Sequence, residues 1–295
     1  EIDPPIADVY KTNHNPKYLF IEDIREFAKR TDFPEDLYNL DILDGSPPCS
    51  SFSMAGNREK DWGKTKVFRE GQAEQRLDDL FFDYIALAKK LQPKVVIAEN
   101  VKGLIQGNAK AYVHRIKKEF ELAGYKVQLF LLNAASMGVP QKRERVFFIC
   151  QRNDLNFPKL ELNFNEEAIL FNDIIENVHY NDLTKNELYL WNNKVYGDGD
   201  FGVINVRLGN KQNSFTTKLL YKEKVCNTVT GGDNNILFDI PRKTTKNEVC
   251  QIGTYPLDYN FKKIEPKYLI GMSVPPVMTA QIANQIKLQW LDRIK

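Results

Sequence analysis

Short apolar runs alternate with longer amphipathic stretches in the first half of the 295-residue chain. Five of these runs are rich in β-branched and aromatic side chains, which predicts strands. They are residues 18–21, 40–43, 95–98, 127–132 and 146–150. Apolar side chains recur at helical spacing in residues 77–91 and 109–123, and Gly124 gives the second stretch a C-terminal cap. Strands that alternate with helices predict an α/β fold with a doubly wound, mostly parallel sheet.

The pattern becomes irregular after Arg152. Asn, Asp, Gly and Lys interrupt short apolar runs as far as Pro241, and no internal repeat is evident there. We assign residues 1–155 to a main domain and residues 156–240 to a smaller domain that is largely β or irregular. Surface loops of such a domain are suited to recognition.

Residues 281–294 have the spacing of an amphipathic helix. Its apolar side is formed by Ile282, Ile286, Trp290 and Leu291. An apolar side of this kind has to be buried, so we predict that residues 241–295 form a C-terminal segment that returns to pack on the main domain.

Composition narrows the class of protein. Hydrophobic residues make up 42% of the chain, enough for a real core, and 41 basic against 39 acidic residues leave a net charge of only +2. A nucleic-acid surface would therefore have to be local, since phosphate affinity depends on where Lys and Arg cluster. No apolar run approaches the ~20 residues of a membrane span. We therefore expect no membrane partner. The cysteines and histidines lack metal-ligand or disulfide spacing, so we also expect no metal site and a reducing, cytoplasmic location.

Cys49 is the first candidate for chemistry. It lies in the segment DGSPPCSSFS at residues 44–53, directly after a predicted strand, and two prolines precede it. A cysteine held in a partly open site can act as a thiolate nucleophile. A lone cysteine after a strand is more often part of the buried packing, so a catalytic role for Cys49 needs other groups beside it.

Further polar residues flank the predicted strands. Glu99 and Asn100 come directly after the third strand, and Arg143 and Arg145 precede the fifth at alternating positions, which point to one face if the segment is extended. Taken singly, the first two would fit a turn and the arginines a surface loop. Open α/β sheets bind ligands at the carboxyl ends of their strands, so we expect these groups to meet Cys49 around one cleft.

Together these motifs resemble those of the DNA cytosine-5 methyltransferase family, of the type found in bacterial or phage modification enzymes. The matching segments are Pro48-Cys49 with Phe52-Ser53, Glu99-Asn100-Val101, QKRER at 141–145, CNTVTGG at 226–232 and IGMSVP at 270–275. They follow the family's order over nearly the whole chain. The resemblance implies a Rossmann-like methyltransferase sheet, and it identifies the smaller domain as a target-recognition domain.

The resemblance also implies catalytic roles. The catalytic set would be Cys49, Glu99, Arg145, Arg143, Pro48 and Asn100. Cys49 would attack C6 of cytosine, Glu99 would donate a hydrogen bond or a proton at N3, and Arg145 would hold O2. A base stacked inside a duplex is out of reach of such groups, so the target base would have to be flipped out.

S-adenosylmethionine would be the methyl donor and S-adenosylhomocysteine the product. By resemblance, the cofactor-binding residues are Glu1, Ile2, Asp23, Ile24, Ser46, Pro48, Leu80, Ser273 and Val274. The residues expected to contact DNA are Ser50, Ser53, Arg58 and Lys64. They lie in a long stretch with several glycines and basic residues, which would close over the DNA. A solvated charged loop explains these basic residues equally well.

Three features depart from the family pattern. Ser50 stands where most members have Gln, and Met272 replaces an Asn near the cofactor. The family's Gly-rich cofactor loop does not precede Glu1, which itself resembles the acidic end of the second strand. We therefore expect an N-terminal extension or a separate subunit to supply that loop.

The partners that the resemblance implies are double-stranded DNA and a cognate restriction endonuclease. Two other functions are compatible with the fold. One is that of the tRNA-methylating branch of the family, whose Cys-Phe-Thr element is only partly matched by Ser214-Phe215-Thr216. The other is that of a catalytically silent DNA-binding paralogue, against which the intact Cys49, Glu99 and Arg145 argue.

Overall fold

The computed structural model describes residues 1–48, 80–106, 109–232 and 234–294. The helices in these ranges are α1 (Pro4–His14), α2 (Ile24–Lys29), α3 (Leu80–Leu91), α4 (Lys110–Leu122), α5 (Lys185–Asn192), α6 (Phe201–Arg207), α7 (Lys246–Ile252), α8 (Pro266–Met272) and α9 (Pro276–Gln289). The strands are β1 (Ile42–Gly45), β2 (Val95–Val101), β3 (Tyr125–Asn133), β4 (Gln141–Lys142), β5 (Glu144–Arg152), β6 (Thr217–Leu220), β7 (Cys226–Asn227) and β8 (Asn234–Leu237). No helix in the described ranges combines the length and the apolar character that crossing a bilayer requires.

Within the described part of the chain, the central sheet has the strand order β1-β2-β5-β3. β1 and β2 are parallel, and β5 is antiparallel to both β2 and β3, so β1, β2 and β3 run in one direction. The register places Asp44 opposite Ile97 and Glu99 opposite Phe147. The prediction of an α/β, mostly parallel sheet is confirmed, with β5 as its antiparallel member.

Both faces of the sheet are covered, as alternate side chains of β5 show. Val146 and Phe148 pack in a cluster with α3 and α4, whereas Phe147 and Ile149 pack with α9 on the opposite face. All four side chains are buried. Because successive side chains of a strand point to opposite faces, a strand buried on both faces needs a continuous apolar run. Helices on both faces confirm the doubly wound arrangement.

The predicted strand at residues 18–21 is wrong. A strand persists where a neighbour completes its backbone hydrogen bonds, and among the described residues this segment pairs with no strand. Its apolar side chains contribute to aromatic packing instead, with the ring of Phe20 centred 4.9 Å from that of Phe27 on α2. The other four predicted strands are present, and β1 begins two residues later than predicted.

The two predicted helices of the main domain are present as α3 and α4, although residues 77–79 lie outside the described ranges. Gly124 has φ +98°, so it ends α4 in the left-handed conformation that glycine adopts freely. Helix α1 was not predicted. Its signals are prolines at the first two helical positions after Asp3 and a left-handed C-cap at Asn15.

The predicted C-terminal helix begins earlier than expected, because Pro276 occupies the first helical position where a proline loses no hydrogen bond. Ile282, Ile286 and Trp290 are buried in the cluster that includes Phe147 and Ile149 of the sheet. The indole of Trp290 also donates a hydrogen bond of 2.8 Å to the Pro158 carbonyl.

The irregular region contains two short helices, α5 and α6, that were not predicted. Thr184 begins α5 with a capping box, since its side chain accepts from the backbone of Glu187 while the Glu187 carboxylate accepts from the backbone of Thr184. Parallel strands β6 and β8 pair beside these helices. Leu160 and Leu162, near the predicted start of this region, still pack with the face of the main sheet.

Candidate active site at the carboxyl edge of the sheet

Glu99 and Arg145 form an ion pair on one face of the sheet. Glu99 is opposite Phe147 in the β2–β5 register, and Arg145 lies two residues before Phe147, so both side chains point to the same side. Arg145 Nε lies 2.9 Å from Glu99 Oε1, and both side chains are largely buried. Burial lowers the pKa of Arg145, and the charge of Glu99 opposes that shift. The structure thus brings together an acid and a guanidinium that come from two separate sequence motifs.

This pair leaves hydrogen-bonding groups unused. Arg145 Nη1 donates to the backbone carbonyl of Glu144 at 2.8 Å. Across the described ranges, neither Arg145 Nη2 nor Glu99 Oε2 has a hydrogen-bond partner. A guanidinium offers five N–H groups and a carboxylate about four acceptor positions. Several of these groups are therefore available to a ligand.

Asn100 connects the same strand end to the segment before the candidate nucleophile. Its Nδ2 donates to the Pro47 carbonyl at 3.0 Å, and its Oδ1 accepts from the Val101 backbone at 2.9 Å. One end of the amide is thus held by its own strand, and the other end fixes the backbone of Pro47, next to Pro48. Cys49 itself lies outside the described residues, as do Ser50, Ser53, Arg58 and Lys64.

Arg143 contacts different partners from Arg145. Its Nη1 and Nη2 donate to the carbonyls of Val229 and Gly271 at 2.9 and 3.0 Å, and burial is the main cause that lowers its pKa. A side chain at Gly271 would collide with the backbone of Thr230 and Gly231, where its Cβ would lie 2.4 Å away. Arg143 therefore joins the irregular region to the C-terminal segment, a contact that alternation alone does not predict.

A cavity of about 240 Å³ lies beside the Glu99–Arg145 pair. It is lined by Asp44, Ser46, Ile97, Glu99, Phe147, Ser273, Val274, Thr279 and Ile282. Three residues predicted to bind the cofactor, namely Ser46, Ser273 and Val274, thus meet the predicted acid Glu99. The Ser273 hydroxyl is oriented by Tyr255, whose OH donates to it at 2.9 Å, and by its own bond to the Ile270 carbonyl at 3.1 Å.

Asp44 is a site residue that the sequence analysis missed. It shares its face of the sheet with Ile42 and Ser46, and it is exposed to solvent. The surrounding protein withdraws its carboxyl from bulk water, and this burial, followed by the charge of Glu99, raises the pKa of Asp44 to about 6. The available signal was a carboxylate inside an apolar strand, which is a frequent mark of a functional site.

The remaining predicted cofactor residues do not line this cavity. Glu1 and Ile2 are exposed, and Glu1 Oε1 accepts from the Asp3 backbone at 2.8 Å. Asp23 caps α2 and pairs with Arg25, which lowers the pKa of Asp23. Ile24 and Leu80 lie in or against apolar packing, and Pro48 is half-buried.

A polar cavity at the carboxyl edge of an open α/β sheet is the arrangement of an enzyme that binds a nucleotide-like ligand. The family described as C-5 cytosine-specific DNA methylase matches residues 1–288. The chain therefore belongs to this family of DNA cytosine-5 methyltransferases.

Similar proteins agree with this assignment. The chain is 31% identical over 318 residues to the type II methyltransferase M.NgoPII of Neisseria gonorrhoeae. The aligned region covers 97% of this chain and 87% of that protein. It is 30% identical over 327 residues to the type II methyltransferase M.FnuDI of Fusobacterium nucleatum, which covers 100% and 88%. A mutant of Spodoptera frugiperda DNMT2 has the same fold, with a TM-score of 0.63, 18% identity and coverage of 97% and 90%.

Proposed function

We propose that the chain transfers the methyl group of S-adenosylmethionine to C5 of a cytosine flipped out of duplex DNA, through a covalent bond between Cys49 Sγ and C6. The observation that carries the proposal is the Glu99–Arg145 pair beside the cavity. It offers an acidic group and spare N–H donors on one side of the sheet, as activation of a pyrimidine ring requires.

The first step is attack by the Cys49 thiolate. The Sγ–C6 bond forms while the electron pair of the C5–C6 double bond moves into the ring. Asn100 supports this step by fixing the Pro47 carbonyl, two residues before Cys49. A fixed approach places the nucleophile near its target and lowers the entropic cost of the reaction.

Glu99 and Arg145 stabilise the charge that the attack puts on the ring. Glu99 donates a hydrogen bond or a proton at N3, and the spare N–H groups of Arg145 hold O2. These contacts are strong because the pair is largely removed from water. After methyl transfer, C5 loses its proton to a base, the double bond re-forms and Cys49 leaves as thiolate.

The cavity fits one end of the cofactor. It presents the hydroxyls of Ser46 and Ser273 and the carboxylate of Asp44 beside the apolar side chains of Val274 and Ile97. These groups suit a ligand that combines ammonium, carboxylate and apolar parts. S-adenosylmethionine supplies an electrophilic methyl group when bound. Glu1, Ile2, Asp23 and Leu80 stay predicted contacts for the rest of the cofactor.

DNA is the proposed macromolecular substrate. The type II names of M.NgoPII and M.FnuDI support a role in restriction-modification, with an endonuclease of the same site specificity as the functional counterpart. The contacts assigned to Ser50, Ser53, Arg58 and Lys64 stay predictions. The three described cysteines are buried and unpaired, which suits the reducing cytoplasm proposed for the chain.

Covalent trapping tests the proposal. Duplex DNA carrying 5-fluorocytosine at the methylated position should form a stable adduct in the presence of the cofactor, because fluorine cannot leave C5 as the proton does. Peptide mass mapping should place the adduct at Cys49, Cys49→Ala should abolish it, and Cys250→Ser should keep it, since Cys250 is a buried packing residue.

Two results would contradict this function. An adduct at another cysteine would remove Cys49 from the mechanism. Trapping of tRNA but not of duplex DNA carrying the same modified base would favour the RNA-methylating alternative.

A further inference from the structure

Asp44 occupies a position in the cavity that the proposed chemistry does not use. It is paired in register with Ile97 on β2, and its side chain shares a cavity with Glu99 and the Ser273 hydroxyl. Ser46, two residues after Asp44, lines the same cavity. Asp44 therefore presents a carboxylate to any molecule that fills this cavity.

The carboxylate of Asp44 has no cation partner among the residues that the structure describes. It accepts a hydrogen bond from the backbone of Gly45. The nearby guanidinium of Arg145 is paired with Glu99 instead, and the charge of Glu99 repels that of Asp44. No cation among the described residues offsets the charge of Asp44, and the neighbouring charge of Glu99 is also negative, which favours a cationic ligand group.

We propose that Asp44 binds the ammonium group at the amino-acid end of S-adenosylmethionine. This inference rests on the proposed function. An ammonium group has three N–H donors, and the cavity offers the Asp44 carboxylate together with the hydroxyl oxygens of Ser46 and Ser273 as acceptors. The sulfonium is a poorer match, because it has no N–H donor and a carboxylate in contact with it would compete with cytosine for the methyl group.

Binding of S-adenosylhomocysteine, measured by titration calorimetry, tests this role without any turnover. Asp44→Asn should weaken binding ~10- to 100-fold, the effect of removing one hydrogen bond to a charged group. Binding of 5′-methylthioadenosine, which lacks the amino-acid end, should be unchanged. Asp41→Asn is the matched control, because Asp41 precedes the same strand and pairs with Lys94 outside the cavity.

The pH dependence of binding gives a second readout. Protonated Asp44 cannot hold the ammonium by charge, so affinity of the wild-type protein should fall as pH drops below about 6, the pKa of Asp44 in the free protein, by up to about tenfold per pH unit. Asp44→Asn should remove this dependence. The titratable groups whose charges act on Asp44 are Glu99 on β2 and Tyr84 on α3, and Arg145 on β5 is paired with Glu99. The profile is therefore repeated in Glu99→Gln, where the fall in affinity should persist but move to lower pH, because the charge of Glu99 contributes to the raised pKa of Asp44.

The possible outcomes separate the two proposals. If the wild-type protein binds neither compound, the proposed use of S-adenosylmethionine fails. If the wild type binds S-adenosylhomocysteine and Asp44→Asn binds it equally well, the role of Asp44 alone is overturned. Equal losses for both compounds would also overturn it, because they would show a distorted cavity and not a lost ammonium contact.

Discussion

Two arginine–glutamate pairs in this molecule have the same chemistry and different surroundings. Arg145 and Glu99 lie at the carboxyl edge of the sheet, with side-chain exposures of 15% and 11%. Arg242 and Glu248 lie between the irregular region and α7, and both side chains are 0% exposed. The comparison separates an ion pair that holds the fold from one that can act on a ligand.

The buried pair uses every donor that it has. Arg242 Nη1 and Nη2 donate to the two Glu248 oxygens at 2.8 and 2.7 Å, and they also donate to the carbonyls of Lys243 and Glu176. The last donor, Nε, reaches the Val178 carbonyl at 3.2 Å. The hydrogen bonds to Glu248 raise the pKa of Arg242. A pair that is satisfied in this way has no group left for a substrate.

The pair at the sheet edge differs in this respect. Arg145 makes a single contact with Glu99, and burial lowers its pKa, the direction opposite to that of Arg242. Spare donors on a partly buried guanidinium are costly to the folded state unless a ligand uses them. The difference in hydrogen-bond saturation therefore predicts which pair affects activity and which affects stability.

Glu99→Gln should give the largest effect. Loss of the acidic group should lower the single-turnover rate of methyl transfer by roughly 10²- to 10⁴-fold. The loss of stability should be smaller than in Glu248→Gln, because the remaining charge of Arg145 keeps some contact with solvent. Radiolabelled methyl transfer and urea unfolding measure the two quantities. Glu144→Gln, which removes the exposed partner of Lys102, is the control and should keep the rate. Full activity of Glu99→Gln would exclude Glu99 as the acid.

Glu248→Gln should have the opposite effect, with a large loss of stability and little change in the rate of methyl transfer. An uncompensated Arg242 would remain in a fully buried position, so unfolding should become easier by about 3 to 5 kcal/mol. Methyl transfer per folded molecule should change little, since neither residue lines the cavity. Asp239→Asn, which breaks an exposed pair with Lys222 at 4.0 Å, should cost less than about 1 kcal/mol. A similar loss for both variants would refute the contrast between buried and exposed pairs.

Arg145→Lys should have an intermediate effect on the rate. Lysine keeps the charge beside Glu99 but loses the planar set of donors that the O2 contact needs. We expect a fall of roughly 10- to 100-fold in single-turnover rate, the effect of one hydrogen bond to a charged group. Arg242→Lys is the matched change in the buried pair and should reduce stability with little change in the rate of the folded fraction. Equal rates for wild type and Arg145→Lys would show that the spare donors are not used.

The strands of the sheet and the positions of Glu99 and Arg145 could be predicted because both depend on the order of residues within short segments. Continuous apolar runs identify strands such as β2 and β5, and the end of a run fixes where a polar side chain meets the carboxyl edge. The failed strand at residues 18–21 has the right composition, but pairing depends on a neighbour that composition does not reveal. Helix α1 has ordinary start signals, namely two prolines after Asp3, although no apolar periodicity predicted it.

Contacts between residues that are far apart in the chain could not be predicted from the sequence. The alternation of Arg143 and Arg145 could not show that Arg143 donates to Val229 and Gly271. The bond from Asn100 to the Pro47 carbonyl joins residues 53 positions apart. Such contacts depend on how the irregular region and the C-terminal segment return to the sheet, which no local pattern encodes.

Thr245→Ala should have the smallest effect of these variants, and it tests a helix cap beside the buried Arg242–Glu248 pair. The Thr245 hydroxyl caps α7 by accepting from the Glu248 backbone at 3.1 Å, and it donates to the Glu176 carboxylate. Loss of such a cap should cost about 1 kcal/mol of stability. This is far less than the cost of Glu248→Gln, because the ion pair between Arg242 and Glu248 remains intact. Thr245→Ser should retain most of the stability in the same urea titration. If Thr245→Ala cost as much as Glu248→Gln, the stability of this region would depend on the whole network and not on the charge pair within it.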